Sequence, residues 1–467
     1  MVAMVAVAVA VAVVAGGGSN DERVVVAGAV RLGALFAVHG APAAARAGSS
    51  CGAVREHYGI QRVEATLRAL DAINADPALL PGLRLGAELR DSCWAAPTAL
   101  RQTIDLVRDA IAAPHPRTTE TSVVVDNVTR PAAHTAGVHR TPMLGVLGPG
   151  ASSAAVQVQN LLQLFSIPQI SYSATSRELS DRARFSTFFR VVPSDQHQAR
   201  LMVALLRAHN WTYVHAVYTD ESYGQSGMAA FHEEAARGAV CVAREEPLRA
   251  APAPHEVDAL LHRLAATTTT QVCVCWCEGR TARALLEGLS RRRPRLRLRL
   301  VGSDGWADRQ DVVRGVEHAA ADALTLRIRS PYLVDFDAYY HKLSPHNNIR
   351  NPWFQEFWEQ KFNCSLSTSP PAHVQRCTGR ESLALHGYTQ EPKLALVVRG
   401  VYALAHALHE MRAAACGATP PGGTGGLCAA MLPFNVSQYK KHLAKVRFTA
   451  PDGGLVAFDD NGDPPPR

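Results

Sequence analysis

Between Val30 and Asp304 the chain alternates short apolar runs with amphipathic segments of helical period, and this alternation restricts the fold more than any other feature. VRLGALFAVHG (30–40), RLGAELRDSC (84–93), MLGVLG (143–148), IPQISY (167–172), TYVHAVY (212–218), TQVCVCWCE (270–278) and LRLRLVGSD (296–304) read as strands. Between them, Ile60, Val63, Leu67, Leu70 and Ile73 recur at three- and four-residue steps, which predicts a helix over 60–76. The same period marks 96–112, 152–165, 197–210, 224–237 and 280–292. Strands that alternate with helices imply an α/β fold with parallel sheets. With 467 residues the chain is too long for one core, so two or three lobes are expected. The first series ends near 190 and a second starts near Val191. Aromatic-rich helical sequence resumes after about 330 (NPWFQEFWEQKF, LALVVRGVYALAHALHEM), which reads as a return to the first lobe. The expected division is 24–190 and 330–450 in lobe 1, 191–329 in lobe 2, and 451–467 as a terminal piece. The polar, Thr/Pro-rich stretch from Pro114 to Ala136 reads as a loop.

Hydrophobic residues at 47% and charged residues at 19% place the chain among globular proteins. A net charge of +7 over this length is a mild bias. The one dense basic run, RRRPRLRLR (291–299), reads through its alternation as the solvated face of a strand, so nucleic acid is not expected as a partner. The first 15 residues are apolar and precede GGGSN. A run that short fits a signal-peptide core over 1–20 and not a membrane span, and no other stretch could cross a bilayer. Ten cysteines, with Cys364 near Cys377 and Cys416 near Cys428, suggest disulfides in an oxidising compartment. Sequons at Asn127, Asn210, Asn363 and Asn435 point the same way.

Ligands of open parallel sheets bind beyond the carboxyl ends of the strands. There the sequence delivers Ser152 or Ser153 in GPGASS, Ser173 and Thr175, Asp220 to Tyr223, Glu278, and Asp304 with Trp306 and Arg309. Either serine of GPGASS is suited to cap the following helix. Read singly, these are caps and turn residues, and Arg62 is a solvated arginine. Read jointly, hydroxyls, carboxylates, an aromatic ring and arginine complement a zwitterion with extra charge, such as an amino acid. GPGASS lacks both the third glycine of a dinucleotide fingerprint and a P-loop lysine, and neither a G-x-S-x-G elbow nor an H-E-x-x-H helix occurs. No enzyme, cofactor or metal is therefore expected. Cys273, Cys275 and Cys277 share one strand face, as buried small residues or with one local disulfide.

The strings YGIQRVEATLRALDAINADP, LRDSCW, GPGASSAAVQVQNLLQLFSIPQISYSATS, RVVPSDQHQAR, NWTYVHAVYTDESYGQSG, CEGRTARALL, GSDGWADR and NPWFQEFW resemble the ectodomain of metabotropic glutamate receptors, nearest the group I type, from about Arg31 to Asp463. The resemblance implies the two-lobed Venus-flytrap fold of class C G-protein-coupled receptors, related to periplasmic binding proteins. It implies L-glutamate as ligand. Tyr58, Arg62, Arg309 and Lys393 match the positions around its distal carboxylate, and Ser152 and Thr175 those that bind its α-carboxylate. The Ser173 carbonyl, Asp195, Asp304 and the Tyr223 ring match those at its ammonium, and Glu278 lies at the hinge-facing mouth. The resemblance pairs Cys51 with Cys93, Cys275 with Cys277, Cys364 with Cys377 and Cys416 with Cys428. Cys241 resembles a free cysteine of the family and Cys273 is extra.

Two departures stand out. The family carries an interchain cysteine in the loop that corresponds to 114–139, and this chain has none there. A homodimer would then be non-covalent, through lobe 1 and the apolar helix 154–165. The chain also stops at Arg467, ahead of the last lobe 2 strand, the cysteine-rich linker and the seven-helix domain that the resemblance implies. Coupling to a G protein would need that domain.

Overall fold

A computed structural model describes residues 22–41, 51–111, 141–267, 270–292, 296–370, 373–384, 387–417 and 427–465. The signal-peptide-like segment, the Asn127 sequon and the 114–139 loop lie outside them.

The first sheet contains β1 (Arg23–Val26), β2 (Val30–Phe36), β3 (Leu85–Asp91), β4 (Met143–Leu147), β5 (Gln169–Ser171) and β6 (Phe188–Arg190), in the order β1-β3-β2-β4-β5-β6. β1 pairs antiparallel with β3, and the remaining pairs are parallel. Parallel neighbours need long crossovers, supplied here by helices α1 (Gln61–Ala75), α2 (Ala96–Ile111) and α3 (Ser152–Leu162). Covered on both faces, β3 and β4 are buried along their whole length; β4 reads as an unbroken apolar run, while β3 carries Glu88 and Arg90 buried as an ion pair.

Lobe 2 follows as α4 (Asp195–Ala208), β7 (Tyr213–Thr219), α5 (Ser222–Arg237), β8 (Cys241–Leu248), α6 (Pro254–Ala265), β9 (Val272–Trp276), α7 (Gly279–Arg292), β10 (Arg299–Gly302), α8 (Gln310–Val313), α9 (Glu317–Ala320) and β11 (Leu324–Thr325). Its five strands run parallel in the order β11-β10-β9-β7-β8. Strand alternation divides its core in two. Cys273, Cys275 and Cys277 pack with Leu260, Leu285 and Leu289 on one face, while Val272, Val274 and Trp276 pack with Met202, Leu206 and Phe231 on the other. The basic run 291–299 is not one strand: Arg291 and Arg292 end α7, and only Arg299 lies on β10. The alternation survives locally, with Arg297 and Arg299 exposed between buried Leu298 and Leu300.

The chain then adds α10 (Val334–Tyr340), α11 (Phe354–Phe362), the short pair β12 (Cys364–Ser365) and β13 (Gln375–Arg376), α12 (Leu394–Cys416), α13 (Val436–Ala444), and the antiparallel pair β14 (Arg447–Thr449) and β15 (Leu455–Ala457). One core cluster joins Val63, Leu67 and Leu70 of α1 to Val397, Val401, Leu404 and Leu408 of α12 and to Leu147 and Ile170 of the first sheet. Gly400 allows this approach, because a Cβ there would lie 2.5 Å from Leu147 Cδ1. The buried Glu64 carboxylate on α1 accepts hydrogen bonds from Tyr339, Asn348 and Asn351, each at 2.7 Å. A buried carboxylate without those donors would be costly, so they fix where the returning chain lies.

The sulfurs of Cys51 and Cys93, Cys364 and Cys377, Cys416 and Cys428, and Cys275 and Cys277 are bonded. Cys241 is free and exposed, and Cys273 is free and buried. Asn210, Asn363 and Asn435 are exposed. Helix α3 buries Ala154, Ala155 and Val158, so of the apolar stretch 154–165 the large side chains left to solvent are Leu164 and Phe165. Among the described residues no helix is long and apolar enough to cross a membrane.

Candidate functional site

The carboxyl ends of β4, β5, β7, β9 and β10 deliver Ser152, Ser173, Tyr223, Glu278 and Asp304 to one crevice between the lobes, which Tyr58, Arg309 and Lys393 also line. Arg62, Thr175 and Asp195 do not line it. They sit one layer behind, with Arg62 and Asp195 at 0% exposure. Neither Ser152 nor Ser153 caps α3, contrary to expectation: the cap position is Ala151, which makes no side-chain bond. Instead Ser152 Oγ accepts the Ser176 N–H at 3.3 Å, and Ser153 Oγ donates across the cleft to Glu221 at 3.2 Å.

The lobe 1 wall is cationic and aromatic. Tyr58 stands in the turn before α1 with φ of 66°, a left-handed conformation that a bulky residue rarely adopts. Guanidinium carbons of Arg55, Arg62 and Arg309 lie 4.4, 4.9 and 5.1 Å from its ring centre, and Trp94 meets it edge-on at 5.8 Å. Arg62 Nη2 bonds Glu391 at 2.6 Å. Burial opposes the Arg62 charge, and Glu391 more than offsets it. Arg62 Nε and Nη1 stay buried with no partner in hydrogen-bonding geometry, as does Glu391 Oε2.

The lobe 2 wall is anionic. Asp304 Oδ1 accepts from Tyr223 at 2.7 Å and from Gln198 at 3.1 Å, while Asp304 Oδ2 meets Lys393 Nζ at 2.7 Å. Burial would raise the Asp304 pKa, but the Lys393 ammonium holds it below the usual carboxylate range. The same ammonium reaches Ser173 Oγ at 3.4 Å. Asp195 Oδ1 accepts from Gln198 at 3.2 Å, and its Oδ2 is buried without a partner. Burial, together with neighbouring Asp304, pushes Asp195 up to about 8. Burial pushes Glu278 up to about 7 despite the pull of Arg309, and its half-buried side chain lines the crevice. Arg309 is anchored by Asp311 at 2.6 Å, and its guanidinium occupies the space a Cβ at Gly279 would fill, 2.0 Å from Nη1.

Sequence reasoning missed Trp94, Asp308 and Glu391, all of which line the crevice. Trp94 lies inside the string LRDSCW, and Glu391 stands two residues before Lys393. The signal for both was local, but a carboxylate beside Arg62 runs against the cationic set expected there. The crevice holds about 40 Å³, room for a few waters, and is partly open to solvent. Among the described residues the one group with metal-ligand spacing is Cys51, Asp91 and Cys93, and its two sulfurs form a disulfide.

Residues 61–467 match the receptor family ligand binding region. The chain belongs to that family. It is thereby an extracellular ligand-binding module of the kind class C receptors carry, in a family of binding domains rather than of catalysts.

Proposed function

We propose that the chain is the ligand-binding ectodomain of a metabotropic glutamate-type receptor and takes L-glutamate between its lobes. One observation carries this reading: the crevice is lined by the cations Lys393 and Arg309, the carboxylates Asp304 and Glu278, and the rings of Tyr58 and Tyr223. Such a lining suits a ligand that carries both an anion and an ammonium. In this reading Arg62, Tyr58, Arg309 and Lys393 hold the distal carboxylate, and Ser152 and Thr175 hold the α-carboxylate. Asp195, Asp304, the Ser173 carbonyl and Tyr223 hold the ammonium, and Glu278 steadies the closed lobes. The Lys393 ammonium on Asp304 Oδ2 at 2.7 Å and on Ser173 Oγ at 3.4 Å supports that reading. The ligand's ammonium would take that place and release Lys393 to the distal carboxylate. Closure would be passed to a G protein through a seven-helix domain. Two such chains would pair non-covalently through lobe 1, with glycans at the exposed sequons.

Calorimetric titration against L-glutamate and L-glutamine tests the reading. Replacing the distal carboxylate by an amide leaves buried guanidinium unpaired, which costs about 2–4 kcal/mol, or roughly 30- to 1000-fold in affinity. Equal affinity for the two would exclude a glutamate receptor and favour a class C receptor for another amino acid.

A further inference from the structure

The four long helices of lobe 2 all finish on arginine: α4, α5, α6 and α7 carry Arg207, Arg237, Arg263 and Arg292 in their last turns. In a parallel sheet with crossover helices, helix carboxyl ends lie beside the amino ends of the strands, opposite the end that delivers the crevice residues. The amino end of β10 adds Arg297 and Arg299 there, both exposed. A cation in a last helical turn complements the helix dipole, which accounts for one such residue per helix. It does not account for the charge balance. Glu234 is shared by Arg237 at 2.8 Å and Arg200 at 3.5 Å. Glu246 is shared by Arg263 at 2.7 Å and Arg244 at 3.1 Å, and Asp258 by Arg291 at 3.3 Å and Arg292 at 3.8 Å. Asp322, ahead of β11, offsets one charge more. Exposed Arg207, Arg297 and Arg299 have no carboxylate within ion-pair distance among the described residues. Arg299 is nonetheless held in place, its guanidinium carbon 5.1 Å over the Trp211 ring, on which His209 stacks at 4.5 Å.

We infer that the end of lobe 2 remote from the crevice is a binding face for a sulfated polysaccharide of the glycosaminoglycan class. Helices packed side by side lie about 10 Å apart, so a small anion meets one of these helix ends, whereas an extended polyanion meets several. Guanidinium presents paired N–H groups that match the oxygens of a tetrahedral anion. The family is one of extracellular ligand-binding modules, and acidic lipids concentrate on the cytoplasmic side of membranes, so a soluble polyanion outside the cell is the fitting partner. The inference does not depend on which amino acid the crevice takes.

Titration with heparin across a salt series tests it on the parent chain, on Arg207→Ala/Arg297→Ala/Arg299→Ala, and on Arg376→Ala/Arg380→Ala/Arg447→Ala. The second triple variant removes the same charge from exposed positions of lobe 1. Thermal melts check that each chain is folded. The lobe 2 variant should flatten the slope of log Kd against log salt by about 2 and bind about tenfold more weakly at roughly 0.1 M salt, while the lobe 1 variant should bind like the parent. Fully desulfated heparin, which probes the same point on the parent without any variant, should not bind. Equal losses in the two triple variants, or binding that survives desulfation, would overturn the assignment. So would a folded parent that ignores heparin, or one that binds single-stranded DNA or phosphatidylserine vesicles more tightly.

Discussion

Lobe 1 carries disulfides that span 42, 13 and 12 residues, whereas the one in lobe 2 spans 2. The cores are also assembled differently. Lobe 2 is built from one continuous stretch, α4 to β11, in which one or two helices join each strand to the next. Lobe 1 joins α1 to α12, more than three hundred residues later, with the whole of lobe 2 between them. That closure costs loop entropy which no crosslink offsets, since each lobe 1 disulfide closes a loop within one segment. The walls of the crevice differ as well: lobe 1 presents Lys393, Glu391 and the rings of Tyr58 and Trp94, and lobe 2 presents carboxylates with Tyr223 and Arg309. The lobe that is hardest to assemble holds the cations rigidly, and the lobe that folds locally brings the counter-charges to them.

The comparison is most exposed to failure at the crosslinks. Removing the Cys51–Cys93 bond with a Cys51→Ser/Cys93→Ser pair should destabilise by about 4 kcal/mol on the chain-entropy account, while Cys275→Ser/Cys277→Ser should cost about 1 kcal/mol. Denaturant titration followed by a probe in each lobe reads both. Equal losses would mean that covalent span does not separate the lobes.

Across the cleft, Asp304→Ala strips the buried Lys393 ammonium of its partner and frees Tyr223 and Gln198. Binding should weaken by roughly 2–5 kcal/mol, because a desolvated charge that loses its partner stays unpaid. Titration of the variant against glutamate measures it, and an unchanged Kd would remove Asp304 from the site.

The smallest effect is the sharpest in sign. Asp195 is pushed up to about 8 from 3.8, so the folded chain keeps a proton that the unfolded chain releases between those values. Stability must then fall as pH rises from about 4 to about 8. Asp195→Asn removes that part of the slope: it should melt a few degrees above the parent at pH 8 and level with it near pH 4, while binding glutamate more weakly. A variant that melts lower at pH 8 would mean the carboxylate is satisfied and stabilising. Asp304 behaves oppositely, since Lys393 holds it low and its contribution is lost only in acid.

Much of this was legible along the chain. Strand–helix alternation placed β2, β3, β4, β5, β7, β9 and β10 within a few residues and passed over β6 and β8, and the carboxyl-end rule brought Ser152, Ser173, Tyr223, Glu278 and Asp304 together. The capping serines were misread because Ala151 already has the extended conformation of a cap while Ser152 turns to the Ser176 N–H. The basic run divides as its periods indicate: residues 291 and 292 end the helix read over 280–292, and the alternation over 296–300 leads into the strand.

The sequence by itself determined the local periods, the residues each strand end delivers and the cysteine positions, because these follow from side-chain spacing along one backbone. Only the tertiary structure decided that 334–457 returns to lobe 1, that Glu391 pairs with Arg62, and that Lys393 meets Asp304 across the cleft. Charge pairing in a buried site depends on which groups lose water together and at what distance. Those distances are set by packing between segments hundreds of residues apart, which no period along the chain encodes.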